Sequence, residues 1–328
     1  MATVEIEYLR TQLADRRDRL ASAMETSGET QELTRLVHEV DHALERMENG
    51  TYGLCDACHD TIEKERLIAD PLVRLCLDHL TPAQQRLLEQ DLELAARIQR
   101  SLLPQGELKF DGWEVRHHYQ PAGMVSGDYC DLIVADDRDG GLFFILGDVV
   151  GKGVAASMLM ARLHAMFRSL VSVGLPVDEL VGRANRLLTE TTISGQYATL
   201  VCGKATRQGE VELCNAGHWP PLLLRKGGVT RMEATGLPLG MFAESRYASQ
   251  RLQLAPGDSL FLYTDGVSET RGPSNVEYGI AALTSFLAAR HGARPAALTA
   301  ACLDELKRFG GAAPPADDLT LMVIGRAA

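Results

Sequence analysis

The chain has no excess of positive charge, no long apolar run and no apolar start. Acidic residues outnumber basic ones 44 to 33, giving a net charge of −11 over 328 residues. A general nucleic-acid binder usually presents a basic face, so direct nucleic-acid binding is not expected. No apolar run reaches the ~18 residues that a membrane-spanning helix needs. Met1–Leu20 is charged and lacks the apolar core of an export signal. The expectation is therefore a cytoplasmic protein without membrane association. Residues 3–48 hold no proline, and the chain has no internal repeat or low-complexity tract. What remains is an ordinary globular composition, 45% hydrophobic and 23% charged. The length suggests about two domains.

Ile6, Leu9, Leu13 and Leu20 recur at helical spacing, as do Leu33, Leu36, Val40, Leu44 and Met47. A break at Ser27-Gly28 and a stop at Asn49-Gly50 predict a helical hairpin over 1–50. Thr81-Pro82 reads as a helix start, with Thr as cap and Pro in the first turn. The stripe Leu87, Leu88, Leu92, Leu94, Ala95, Ile98 and Leu102 makes 81–104 a linker helix. It serves as a connector, as a dimerising coiled coil or as both, and a homodimer is expected. Beyond Trp113, β-branched and aromatic runs at Tyr129–Ala135, Leu142–Leu146, Ala198–Gly203, Leu222–Leu224, Ser259–Thr264 and Leu319–Ile324 read as strands. Val154–Val171, Val177–Thr189, Gly279–Arg290 and Pro295–Arg308 read as helices. This grouping makes 105–328 an α+β domain rather than a regular βαβ repeat. Gly310–Ala316 reads as a flexible loop.

Of seven cysteines, Cys130, Cys202, Cys214 and Cys302 lie scattered in apolar segments and read as buried thiols. A disulfide framework is not expected in a reducing compartment. Cys55-x2-Cys58, seventeen residues, then Cys76-x2-His79 fits the spacing of a zinc site within 51–80. A two-residue gap lets one tight turn present both side chains to one ion. Four S/N ligands fill a tetrahedral Zn²⁺ shell, which makes the site structural. A segment this short has too little core to fold alone, so the metal supplies folding free energy. Three other readings stand beside this one. Cys55-Asp-Ala-Cys58-His59 is also a c-type haem spacing, although that chemistry normally requires export and leaves Cys76 and His79 unexplained. His59 could replace His79 as fourth ligand. The thiols could also be free of metal.

Residues 3–80 resemble the DksA/TraR zinc-finger family through Tyr52-Gly53-x-Cys55-x-x-Cys58, Ile62, Arg66-Leu67, Ala69, Pro71 and Cys76. A helical hairpin before the finger fits that family too. His79 stands where the family has its last cysteine. The acidic motif of the hairpin tip is missing from Met24–Glu32. Members with that motif act on RNA polymerase, so the resemblance points here to sensing, docking or dimerising.

Acidic residues in the C-terminal part fall at strand ends beside glycines. Asp128 lies in Ser126-Gly127-Asp128-Tyr129 and Asp148 in Gly147-Asp148-Val149-Val150-Gly151-Lys152-Gly153. Asp265 lies in Thr264-Asp265-Gly266, and Asp317-Asp318 precedes the last strand. Each alone is an ordinary turn residue. Together they suggest converging carboxylates, which repel unless a cation sits among them. All-oxygen ligands suit Mg²⁺ or Mn²⁺. Two such ions can activate a water and clamp a phosphoryl group. Gly147–Gly153 is not a P-loop: its spacing is one short, and Gly153 stands where Ser or Thr should hold Mg²⁺. His218 reads as a general acid or as part of a structural turn over Asn215–Pro220. Lys152 and Arg162 read as phosphate contacts or as solvated surface.

Residues from about 92 to 326 resemble the PPM superfamily of metal-dependent protein phosphatases, in its SpoIIE/RsbU branch. The resemblance rests on the three motifs around Asp128, Asp148 and Asp265. It also rests on Ala95–Pro104, Asn215-Ala216-Gly217-His218, Gly236-Leu237-Pro238-Leu239-Gly240 and Asp317-Asp318-Leu319-Thr320. It implies a β-sandwich of two antiparallel sheets flanked by helices, here preceded by the hairpin and its small zinc finger. It implies two Mn²⁺ or Mg²⁺ ions beside the structural Zn²⁺. Asp148 would bridge both ions with the Val149 carbonyl beside it, and Asp128 would complete the first site. Asp265 and Asp317 would hold the second, with Asp318 the alternative to Asp317. The implied activity is serine/threonine protein dephosphorylation, with a STAS-type anti-sigma-factor antagonist as substrate in a partner-switching pathway and the zinc module as regulator. The alternatives are a non-enzymatic regulator that contacts RNA polymerase through the hairpin, and a phosphatase of small metabolites.

Overall fold

The computed structural model describes residues 3–27, 31–80, 82–104, 106–135, 141–191, 195–311 and 317–327. The chain divides into two compact units, Met1–Gln90 and Asp91–Ala328. In the first, α1 (Thr3–Ser27) and α2 (Gln31–Glu48) pack through Leu13, Val40 and Ala43. The turn expected at Ser27-Gly28 falls partly outside the described residues. Asn49 and Gly50 end α2, with Gly50 at φ 71, a left-handed conformation that suits glycine. The finger follows, with α3 (Lys64–Ala69) and a 3-10 turn at Leu77–His79. Its core is Cys55, Ile62, Leu67 and Cys76.

That small core is continuous with the hairpin. Tyr52 packs against both, and its hydroxyl donates to the Pro71 carbonyl at 3.0 Å. Arg46 of α2 reaches into the finger. It donates to the carbonyls of Thr51 (3.1 Å) and Leu54 and pairs with Asp56 at 3.2 Å.

α4 (Pro82–Leu102) follows, and the Thr81 cap lies outside the described residues. The second compact unit begins within α4, at Asp91. The reason is packing: Ala96 and Gln99 are buried, and Leu103 lies against the core of the second unit.

The second unit runs β1 (Glu107–Phe110), β2 (Trp113–Gln120), β3 (Tyr129–Ala135), β4 (Gly141–Val149), α5 (Gly153–Val171), α6 (Val177–Thr191), β5 (Ala198–Thr206), β6 (Glu210–Ala216), β7 (Leu222–Arg225) and β8 (Gly228–Arg231). It continues with β9 (Gln250–Gln253), β10 (Ser259–Tyr263), α7 (Asp265–Ser268), α8 (Gly279–Ala288), α9 (Pro295–Gly310) and β11 (Leu319–Arg326). Two sheets form, ordered β1-β2-β11-β10-β7-β8 and β3-β4-β5-β6-β9. Neighbours within each sheet are antiparallel. The loop expected at Gly310–Ala316 lies mostly outside the described residues.

Strand alternation explains the layering. On β4, Leu142, Phe144 and Leu146 meet Leu260 and Leu262 of β10 and Met322 and Ile324 of β11 between the sheets. Phe143 and Ile145 point the other way, onto α5 and α6. Phe261 and Tyr263 of β10 face α8 and α9. A strand buried on both faces reads as one apolar run. α5 is long and apolar enough to cross a membrane by length and composition. Here it packs Ala156, Met160, Leu163 and Phe167 into the core under β3 and β4. Arg168 ties it to β3 by two hydrogen bonds to the buried Asp131, at 2.9 and 2.7 Å.

Close packing between sheets leaves some positions no room for a side chain. A Cβ on Gly203 of β5 would lie 2.1 Å from the Phe144 ring. Gly203→Ala is expected to destabilise the second unit by roughly 1–3 kcal/mol. Denaturant unfolding of both proteins would measure this, and equal stability would show that Phe144 repacks freely.

Candidate functional site

The ligand atoms of Cys55, Cys58, Cys76 and His79 all lie within 4.8 Å of one another. Four donors ~2.3 Å from one zinc stand ~3.8 Å apart. The Cys58 and Cys76 sulfurs are 3.8 Å apart, and Cys76 Sγ is 3.2 Å from His79 Nδ1. Burial pushes the Cys55 thiol up, but backbone N–H groups of Cys76, Cys58 and Ala57 outweigh it and bring the group down to about 6. That favours a thiolate at Cys55, while at Cys58 the Asp60 N–H is outweighed by burial and by the Cys55 and Cys76 sulfurs, which push the group up to about 11, a conflict that a cation would relieve. His59 is not in the group. It follows Cys58 at φ 60, at the turn of the knuckle. The donor set thus fits zinc through His79, and a haem reading has no use for its second half.

The acids converge because antiparallel pairing brings strand ends together. β3 begins where β4 ends, with Tyr129 opposite Gly147. β10 ends where β11 begins, with Tyr263 opposite Leu321. Asp128 and Asp148 therefore flank one strand pair, and Asp265, Asp317 and Asp318 flank the other. Hydrogen bonds join the two pairs across the sandwich. Asp128 Oδ2 accepts from Thr264 Oγ1 at 3.0 Å and from Thr320 Oγ1. Asp318 accepts from the N–H groups of Ala122 (2.7 Å) and Gly127 (3.0 Å). A Cβ on Gly127 would lie 3.0 Å from the Val149 carbonyl oxygen and 3.4 Å from Asp148 Oδ1, so the turn admits only glycine without displacement.

The carboxylates burden one another electrostatically. Burial, then Asp265, Asp317 and Asp318, push Asp148 up to about 7. Burial raises Asp128 well above the usual range, with Asp148 and Asp318 adding to it and the Thr320 and Thr264 hydroxyls opposing. Burial, Asp317 and Glu269 raise Asp265. Oxygen donors that cannot all ionise without a cation are what a hard divalent ion requires. Within the adjacent pair the two carboxylates have different partners. Both Asp318 oxygens are taken by loop N–H groups. Asp317 offers Oδ2 to Lys152 Nζ at 2.8 Å and accepts the Asp318 N–H at its other oxygen.

Sequence reasoning missed the supports. Gln99 of α4 clamps the Asp128 turn, donating to the Ser126 carbonyl at 2.7 Å and accepting its N–H at 3.0 Å. Ser126 Oγ accepts the Asp128 N–H at 3.0 Å. The available signal was one glutamine inside the apolar stripe of α4. His218 is buried, and burial draws its imidazole down to about 4. Its Nε2 faces the Tyr263 carbonyl at 3.1 Å and must donate, so Nδ1 accepts from Thr199 Oγ1 at 2.8 Å. Thr199 stands opposite Asp148 in the β4–β5 register. With both nitrogens engaged, His218 braces the two sheets and has no free nitrogen for acid catalysis. Arg162 donates to the Leu187 and Thr191 carbonyls at the end of α6, which accounts for it structurally.

Residues 138–327 match the family described as Stage II sporulation protein E (SpoIIE). The chain belongs to the SpoIIE family. Residues 50–78 match the prokaryotic dksA/traR C4-type zinc finger, with His79 just past the matched span. Similar proteins include IcfG of Synechocystis sp., 27% identical over 72% of this chain and 41% of its own. RsbP of Bacillus subtilis is 27% identical over 55% of this chain and 46% of its own. RsbU of the same organism is 25% identical over 57% and 56%. The chain thus spans about half the length of the curated relatives it matches. Among solved structures, the SiaA-PP2C domain of Pseudomonas aeruginosa aligns with a TM-score of 0.65 at 18% identity, over 75% of this chain and 99% of that one. The RsbU and RsbW domains of Rv1364c from Mycobacterium tuberculosis align with a TM-score of 0.56 at 30% identity, over 66% and 62%. The SpoIIE-family domain therefore has the PP2C fold.

Two expectations follow. In metal-free protein, folded Asp148 keeps a proton up to about pH 7, whereas the unfolded chain releases it near 3.8. Its stabilising contribution is complete below the unfolded value and is lost as pH rises through about 7. Metal-free protein should lose stability between about pH 4 and 7, Mn²⁺ should reverse the trend, and Asp148→Asn should flatten the slope. Denaturant unfolding across that range tests this, and metal-free stability that rises with pH would refute it. Separately, Cys58→Ser should abolish bound zinc and expose the Met1–Gln90 unit to proteolysis, while Asp91–Ala328 stays protected. Retained zinc at full stoichiometry would remove Cys58 from the ligand set.

Proposed function

We propose that this chain is a metal-dependent serine/threonine protein phosphatase of the two-metal type. The observation that carries the reading is the convergence of Asp128, Asp148, Asp265 and Asp317 from both sheets on one end of the sandwich. Their mutual charge calls for divalent cations. Asp148, with the Val149 carbonyl, would bridge two Mn²⁺ or Mg²⁺ ions. Asp128 would complete the first site through the oxygen that Thr264 and Thr320 leave open, and Asp265 and Asp317 would hold the second. Asp318 is better suited to positioning, since its oxygens hold backbone N–H groups of the 122–127 loop, whereas Asp317 Oδ2 meets only the exposed Lys152 side chain. Bound ions would supply an activated water and neutralise charge for in-line displacement at phosphorus. The protein's own part is to hold the carboxylates at fixed spacing through Thr264, Thr320, Gln99 and His218.

RsbP and RsbU carry the name phosphoserine phosphatase, which supports a phosphoserine or phosphothreonine protein as substrate. The specific reading is a STAS-domain anti-sigma-factor antagonist, in a cytoplasmic partner-switching pathway. The zinc unit would regulate the enzyme. Leu94 and Ile98 lie exposed on α4, which supports homodimerisation through that helix.

The test is phosphate release from a phosphoserine-bearing STAS-domain protein, with Mn²⁺, Mg²⁺ or chelator. The full chain should turn over only with metal, and Asp148→Asn should reduce the rate by about two orders of magnitude or more. A full chain inert with every metal and substrate would sink the reading.

A further inference from the structure

Lys152 lies within the Gly147–Gly153 turn but outside the carboxylate set. Its Nζ stands 2.8 Å from Asp317 Oδ2, with the lysine side chain 68% exposed and that of Asp317 32%. Gly151 and Gly153 flank it at φ 95 and 73, so a tight bend of two left-handed glycines lifts the lysine toward the acids. α5 begins at the next residue, with no side-chain cap on its first N–H groups. The positive end of a 19-residue helix therefore starts where the ammonium is anchored, and such ends favour anions. Lys152 Nζ donates a hydrogen bond to the Asp317 carboxylate.

An exposed ion pair of this kind contributes little. A divalent cation that needs the Asp317 oxygen would displace it readily. Displaced from that oxygen, the ammonium remains on a flexible four-carbon stem with three donors. It would stand at the mouth of a site that, on the phosphatase reading, holds a phosphoryl group.

We propose that Lys152 is an exchangeable ligand: it occupies Asp317 Oδ2 while that oxygen has no metal, and binds phosphoryl oxygens of the substrate once a cation takes its place. The second half rests on the phosphatase reading, and the first does not. A plain surface ion pair would do neither.

Two calorimetric titrations of the full-length chain separate these cases. Mn²⁺ titrated into metal-free protein should bind Lys152→Met about threefold tighter than wild type, since no ammonium is displaced. Inorganic phosphate titrated into Mn²⁺-loaded protein should bind Lys152→Met about five- to tenfold more weakly, while Lys152→Arg stays within about twofold. With a phosphoserine peptide, KM should rise by a similar factor and kcat should change less. Unchanged phosphate affinity in Lys152→Met overturns the proposal, and so does unchanged Mn²⁺ affinity. Both titrations read binding, so an inert wild type with these shifts intact would fail the phosphatase reading alone.

Discussion

Two strand pairs from different sheets have to end at the same level for the acids to meet. The bonds that enforce this are few. Thr264 and Thr320, at the ends of β10 and β11, donate to the carboxylate of Asp128, which precedes β3. Asp318 returns the connection by holding the N–H of Gly127. A buried acid without a positive partner is costly unless its oxygens are satisfied, and these hydroxyls satisfy one of them. His218 adds a second brace between Thr199 and Tyr263. The spacing of the carboxylates is thus inherited from the packing distance between two sheets rather than from any local turn.

The zinc unit is organised the other way. Its four donors come from two short loops separated by little chain, and its core is too small to stand alone. It leans on the hairpin through Tyr52 and Arg46. One arginine that satisfies two loop carbonyls and an aspartate does here what a sheet-on-sheet core does in the larger unit.

This contrast explains what could be read from the sequence. The zinc tetrad was legible because its spacing is local. β3, β4, β10 and β11 were legible because both of their faces are buried, which leaves unbroken apolar runs. The acids stood out through the glycines beside them. β2 was not recognised, although it pairs with both β1 and β11. Its sequence, Trp113 to Gln120, alternates polar and apolar residues and includes two histidines. β1, β8 and β9 are four-residue strands with little burial. β6 hides behind two glutamates. The functions of Gln99, Thr264, Thr320 and His218 lay beyond reach, because each depends on a partner 19 to 192 residues away in the chain.

The sheet order β1-β2-β11-β10-β7-β8 has a consequence for how the protein comes into being. A ribosome delivers β2 and β10 well before β11, yet β11 is the strand that joins them. Until residues 319–326 emerge, each of those strands presents an unpaired edge, and the Asp317–Asp318 pair is only just being delivered. The Cys55, Cys58, Cys76 and His79 cluster, by contrast, is complete once residue 79 has cleared the exit tunnel. The nascent chain therefore has that cluster in place long before the carboxylates of the sandwich can meet. Closure of the seam by β11 completes the six-stranded sheet and brings the carboxylates of both sheets together at the same moment.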